Sequence, residues 1–130
     1  MRGIEIFAVF VVSHLAGDFL LQTEWEASHK RGGLGPDPTA RRALFSHLAT
    51  YTLAFVPALI WLAGDTGAWA ALGIGALVAV PHLIVDDGRL LEAYMRRVKR
   101  LEPEPGYLYM AVDQSVHVIM LFGAALLAAA

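Results

Sequence analysis

Four apolar stretches separated by short polar segments organise the chain: residues 4–25, 43–63, 69–86 and 107–129. Each is about 18 to 23 residues long, near the ~20 that an α-helix needs to cross ~30 Å of hydrocarbon. The pattern predicts an all-α integral membrane four-helix bundle, one four-span transmembrane domain over residues 1–130. Residues 29–42 carry the turn-forming run Gly-Gly-Leu-Gly-Pro-Asp-Pro and residues 64–67 read Gly-Asp-Thr-Gly, so both are expected to be loops. Between the third and fourth spans, Leu90, Leu91, Tyr94, Met95, Val98 and Leu101 recur at helical spacing among basic residues. That spacing predicts a short interfacial amphipathic helix, ended by Pro103 and Pro105. Glu5, His14 and Asp18 break up the first stretch, which also lacks the basic n-region of a cleavable signal, so it is expected to stay in the mature protein. Ala71, Gly75 and Ala79 form a small-residue stripe suited to close helix packing.

Composition supports the membrane class, since 57% hydrophobic residues in a 130-residue chain is too apolar for a small domain with a polar exterior. The absence of cysteine removes disulfides, thiolate metal sites and cysteine nucleophiles. A net charge of -2 gives no case for nucleic acid. Antiparallel threading puts Lys30, Arg31, Arg41, Arg42, Arg89, Arg96, Arg97, Lys99 and Arg100 on one face and leaves only Arg2 on the other. This bias predicts a multi-pass protein of the cell membrane with both termini outside and the two long basic loops in the cytoplasm.

Ionisable residues inside spans are costly and mark functional sites. Three helix-spaced pairs stand out: His14/Asp18, His82/Asp86 and Asp113/His117. The first and third spans run toward the basic face and the fourth runs back, so in all three the aspartate lies nearer that face and the histidine one turn deeper. His47 enters from the same side at similar depth, on the order of 10 Å down at 1.5 Å per residue. Residues four apart share a helix face, so four imidazoles and three carboxylates can converge on a two-metal site. Nitrogen and oxygen ligation without sulfur suits a divalent metal such as zinc, manganese or iron. Gln22 and Gln114 are positioned to orient ligands or a bound water. The bland reading is an interhelical hydrogen-bond network without metal. His29 reads as a solvent-facing loop residue, Asp87 as interfacial, and the basic loops as topology signals that touch anionic lipid, with Lys30 and Arg89 as possible anion contacts.

His14-Leu-Ala-Gly-Asp18-Phe-Leu-Leu-Gln22, Trp25 with Lys30, His47, His82-Leu-Ile-Val-Asp86 and Asp113-Gln114-Ser-Val-His117 together resemble the DUF3307 family of small bacterial integral membrane proteins. The resemblance covers nearly the whole chain. It departs at Asp87-Gly88-Arg89, where an apolar or aromatic residue followed by lysine is the expected pattern. The resemblance implies the membrane fold and the polar residue set, and no reaction.

On these residues the leading expectation is a metal-dependent membrane hydrolase, with His14, Asp18, His47, His82, Asp86, Asp113 and His117 as ligands and Asp86 or Asp113 as the catalytic base. Its substrate would be a membrane lipid or lipid-linked molecule just beneath the cytoplasmic headgroups. Two alternatives use the same residues: a proton or divalent-metal transport protein, and a metal-stabilised structural subunit. The nearly apolar outer halves of the spans oppose a transport path through one protomer, although a homo-oligomer could build one between subunits. No Gly-x-Ser-x-Gly elbow, P-loop or dinucleotide fingerprint occurs.

Overall fold

The computed structural model describes residues 2–130. Helix α1 (Arg2–Leu15) runs straight into a π-helical segment, Ala16–Leu21, and the short α2 (Glu24–His29) follows. Helices α3 (Pro38–Thr66) and α4 (Ala68–Asp86) come next, then α5 (Arg89–Tyr94) with a π-helical end at Met95–Lys99, and finally α6 (Tyr107–Ala129). Four of these units, Arg2–Leu21, Pro38–Thr66, Ala68–Asp86 and Tyr107–Ala129, are long and apolar enough to cross a membrane. The described residues contain no strand, so the all-α four-helix expectation holds.

Boundaries shift where local chemistry is stronger than hydropathy. The first span ends at Leu21, not at residue 25, because Gln22 turns extended (ψ 128°) and Thr23 opens a new helix. Thr23 accepts from the Glu26 amide while the Glu26 carboxylate accepts from the Thr23 amide, a reciprocal capping box that satisfies two orphan donors of α2. Helix α3 begins at Pro38, five residues ahead of the apolar run, since Asp37 caps the Thr39 amide and Pro38 is pre-organised for the first helical turn. The short helix expected between the third and fourth spans forms as α5 with its π-helical end and stops at Arg100, which adopts left-handed backbone (φ 56°), ahead of both prolines.

α1, α3, α4 and α6 form a ring in which α1 packs on α3 and α6, and α4 packs on the same two helices. Gly67 alone joins α3 to α4 at φ 86°, a conformation that favours glycine. Arg2 pairs with Asp65 beside this turn (3.3 Å), and a Cβ on Gly3 would stand 3.6 Å from that of Ala129. Both ends of the described chain therefore share one end of the bundle with the Gly67 turn, and the two long connections share the other. Gly75 admits α3 closely, since a Cβ there would meet Leu59 at 3.0 Å.

The half nearest the Gly67 turn has an apolar core of Ile6, Phe10, Phe55, Leu62, Val78 and Leu121. Phe10 and Phe55 meet edge-on with centroids 5.8 Å apart. Outward faces are apolar as well: Ile4, Val12, Leu53, Ile60, Trp69 and Ile119 are all more than 60% exposed, the surface expected against lipid tails. Since tails are as apolar as these side chains, the helices are held by van der Waals packing and by whatever polar contacts cross between them. Apart from the Arg2–Asp65 pair at the Gly67 end, the interhelical side-chain polar contacts of the described residues gather in the other half.

Candidate metal centre

The π-helical segment holds Asp18, α3 carries His47, α4 ends on His82 and Asp86, and α6 brings Asp113 and, one turn further on, His117. His14 sits at the end of α1. The structure brings all seven residues together between the four spans. All are buried except Asp113, whose side chain is 19% exposed.

Four donor atoms converge most tightly. His47 Nε2 lies 3.0 Å from Asp86 Oδ2, His82 Nε2 lies 3.2 Å from the same oxygen, and the two imidazole nitrogens are 3.1 Å apart. Asp18 Oδ1 stands 3.3 Å from His47 Nε2 and 3.7 Å from His82 Nε2. Ligand atoms around one tetrahedral ion at about 2.0–2.1 Å are spaced about 3.3 Å apart, so the separations suit a single His2Asp2 ion.

Asp86 also faces the other way. Its Oδ1 lies 3.4 Å from His117 Nε2. His117 Nδ1 is 2.9 Å from the Asp113 carbonyl, which can only accept, so Nδ1 carries the proton and the neutral ring keeps its lone pair on Nε2. Both that nitrogen and Asp86 Oδ1 are buried without a hydrogen-bond partner, as are Asp18 Oδ1 and His82 Nδ1. Two lone pairs facing across 3.4 Å away from bulk water are a costly arrangement, which a cation or proton between them relieves. Asp86, Asp113 and His117 form a second candidate ligand group, and His14, Asp18 and His82 a third.

The surroundings orient these ligands. His14 hydrogen-bonds through Nδ1 to the Tyr51 hydroxyl (3.1 Å) and through Nε2 to Gln114 Oε1 (2.9 Å). Gln114 in turn donates to Asp18 Oδ2 and to Asp113 Oδ2, each at 3.2 Å. Gln22, with its amide turned to suit its neighbours, donates to the Asp18 carbonyl and accepts from Lys30. Tyr51 stacks flat on His82, centroids 3.4 Å apart and planes 7° apart. Sequence reasoning passed over Tyr51, although it lies four residues after His47 and so on the same face of α3. Gly17 makes room for it, since a Cβ there would come within 2.7 Å of the Tyr51 ring.

Lys30 and Arg89, read from the sequence as possible anion contacts, both engage carboxylates. Lys30 Nζ is 2.6 Å from Asp86 Oδ2, and Arg89 Nε is 2.7 Å from Asp87 Oδ2. Asp87 is buried and accepts from the Leu34 amide (2.7 Å), while its carbonyl accepts from Gly32 (2.8 Å). It fastens the loop that delivers Lys30. On the far side of that loop, burial pushes the Glu26 carboxyl up, but hydrogen bonds from Ser46 and Thr23 outweigh this and hold it below the usual glutamate value. His29 is exposed at the end of α2.

Residues 6–129 match the family described as Protein of unknown function (DUF3307). The chain belongs to this family. No curated protein and no solved structure matches it. In this DUF3307 chain a cleft of about 820 Å³ opens between the long connections, with Asp18, Asp86 and Asp113 on its floor and Lys30 and Arg31 beside them. Phe19, Tyr107 and Met110 give it an apolar wall. The DUF3307 site thus joins a buried donor set able to hold a metal ion to an accessible space that could hold an amphiphile.

Proposed function

We propose that the protein is a metal-dependent membrane hydrolase whose intramembrane centre has places for two divalent ions, zinc, manganese or iron. The observation that carries this reading is the pair of unpartnered atoms His117 Nε2 and Asp86 Oδ1, 3.4 Å apart and buried beside a four-donor cluster of tetrahedral spacing. One ion would take His47, His82, Asp18 and Asp86 Oδ2. The other would take Asp86 Oδ1, His117 and Asp113, and His14 adds a donor beside Asp18 and His82. Such ions supply a nucleophilic water at neutral pH and stabilise developing oxyanion charge. Asp113, the most exposed of the three carboxylates and a cleft residue, is the better candidate for the base. It would take the proton of the attacking water and return it to the leaving oxygen once the ester bond breaks. The apolar cleft wall supports a lipid or lipid-linked substrate. The basic connections support a cell-membrane orientation with termini outside and the cleft toward the cytoplasm; reporter fusions at either terminus test it.

A metal-free proton-relay or packing network is favoured by one observation, the Lys30 ammonium against Asp86 at 2.6 Å. Elemental mass spectrometry on detergent-purified protein decides between the two. Bound metal in the wild type, lost in Asp18→Ala and His82→Ala, supports the metal centre, after which hydrolysis of lipid phosphates and esters is assayed with that metal. Protein that stays metal-free after reconstitution would sink the hydrolase.

A further inference from the structure

The charges around the donor set do not balance, and the imbalance limits how the site fills. Asp18, Asp86 and Asp113 bring three negative charges as ligands, and Lys30, seated on Asp86, returns one positive charge. The other nearby ions have their own partners. Arg31 lies over the Tyr109 ring and 3.6 Å from Glu92, and Arg89 pairs with Asp87. The Glu26 carboxylate accepts from the Thr23 amide and the Ser46 hydroxyl and does not line the cleft. The centre therefore carries two net negative charges, which one divalent ion cancels. A second divalent ion alone would leave two uncompensated positive charges in a low-dielectric bundle, an expensive arrangement.

We infer that the centre holds one divalent ion by itself, in the His47–His82–Asp18–Asp86 group, and that a second ion enters the Asp86–Asp113–His117 group only together with a phosphate ester bound in the cleft. This deepens the hydrolase reading and rests on it. Phosphate fits the deficit because a phosphate monoester carries about -1.5 to -2 at neutral pH, and a phosphodiester with a metal-bound hydroxide supplies the same total. The place for it is next to the second group, since Asp86 and Asp113 line the cleft with Lys30 and Arg31. Phe19, more than half exposed on the same cleft, and the exposed Tyr107 and Met110 supply the surface for a lipid tail. The second ion group has the independent mark of a ligand site, in that His117 Nε2 and Asp86 Oδ1 are buried, aimed at each other and unpartnered. Lys30 thereby sets the balance: it makes the resting site suit one ion and leaves the two-ion site short of an anion.

Manganese titration of the full chain in detergent, followed by electron paramagnetic resonance, separates an isolated ion from a spin-coupled pair. Without phosphate, one ion per chain and an uncoupled signal are expected. With inorganic phosphate as the probe, a second ion and a coupled signal appear, and second-ion affinity rises about tenfold or more, within the usual range of coupling between sites. Reciprocity requires manganese to raise phosphate affinity by the same factor. Lys30→Met removes the positive charge, so its second ion binds more tightly without phosphate and the phosphate effect shrinks. In phosphate-free nanodiscs, a coupled signal with phosphatidic acid but not with phosphatidylcholine alone identifies a lipid headgroup as the source; a signal with inorganic phosphate only identifies the free anion. Two ions bound equally well without phosphate, or one ion whatever the anion, overturns the inference and leaves the metal centre standing. No bound ion at all removes both.

Discussion

Replacing Gly17 by alanine tests whether the π-helical segment and Tyr51 hold the proposed metal ligands in place. The added Cβ would stand 2.7 Å from Tyr51 Cδ2 and 3.3 Å from Tyr51 Cα. Ordinary carbon contacts lie at about 3.5–4.0 Å, so a shift of roughly 0.8 Å is needed. The ring cannot simply swing away. It is 1% exposed, stacks on His82 at 3.4 Å and is hydrogen-bonded to His14, and the new methyl would also press on the α3 backbone at Tyr51. Overpacking of this kind costs about 1–3 kcal/mol. Gly73→Ala is the control, because a Cβ there meets nothing within 4 Å and the change gains only helix propensity, up to about 1 kcal/mol. Unfolding titrations of both variants in mixed detergent micelles should separate them by about 1–3 kcal/mol, with Gly17→Ala the less stable. Since Tyr51 moves with His82, metal affinity in Gly17→Ala should also fall, by about tenfold for each 1.4 kcal/mol of lost ligand alignment. If Gly17→Ala matches Gly73→Ala in both stability and affinity, the close approach of the π-helical segment to Tyr51 does not organise the site.

Tyr51→Phe keeps the stack on His82 and deletes the hydroxyl bonded to His14. Metal affinity should drop about 10–100-fold, as for other ligand-orienting partners, with ion content read by mass spectrometry; an unchanged affinity would mean that His14 needs no such support. Asp87→Ala removes the acceptor of the Leu34 amide and should cost about 1–3 kcal/mol locally, seen as faster hydrogen exchange at Leu34 and Gly32 with Ala71 in α4 unaffected. Glu26 has a carboxyl pKa lowered from 4.5 on folding. Its contribution is therefore fully present above pH 4.5 and is lost as pH falls through the lower folded value. Exchange protection of the Ala27 and Lys30 amides should follow that course in the wild type, and Glu26→Gln should flatten it.

Depth along the bundle was legible in the sequence because it depends only on helix direction and rise. The order Asp after His in two spans and before it in the fourth, combined with antiparallel threading, already puts one carboxylate layer above one imidazole layer. The structure has that arrangement, with Asp18, Asp86 and Asp113 on the cleft floor. Helix α2 was equally readable, from Thr23 and Glu26 at capping-box spacing, but the apolar run through Trp25 hid it. The partner that Lys30 finds in Asp86 was not readable. A cation in a polar loop suggests solvent or an anion, and only the tie from Asp87 to Leu34 and Gly32 carries it inward to Asp86.

Rotation of each side chain about its helix axis is where sequence spacing stopped being sufficient. Four-residue spacing puts His14 and Asp18 on one helix face, able to serve one centre or two neighbouring centres, which assumes about 3.6 residues per turn throughout. The π-helical segment from Ala16 to Leu21 breaks that assumption at Asp18. Asp18 Oδ1 reaches His47 at 3.3 Å, whereas His14 Nε2 stays 3.7 Å from the other Asp18 oxygen and is hydrogen-bonded to Gln114. The wide turn thus separates the contacts of one sequence pair: Asp18 Oδ1 faces His47, and His14 faces Tyr51 and Gln114. His82 and Asp86, on an α4 that stays α-helical to its end, keep the simple pairing at 3.2 Å. The same polar layer opens to the cleft on one side and meets the apolar core of Phe10, Phe55, Val78 and Leu121 on the other. A transported ion needs a second exit through that core, where the buried residues offer no ligand; a substrate that enters and leaves by the cleft needs none.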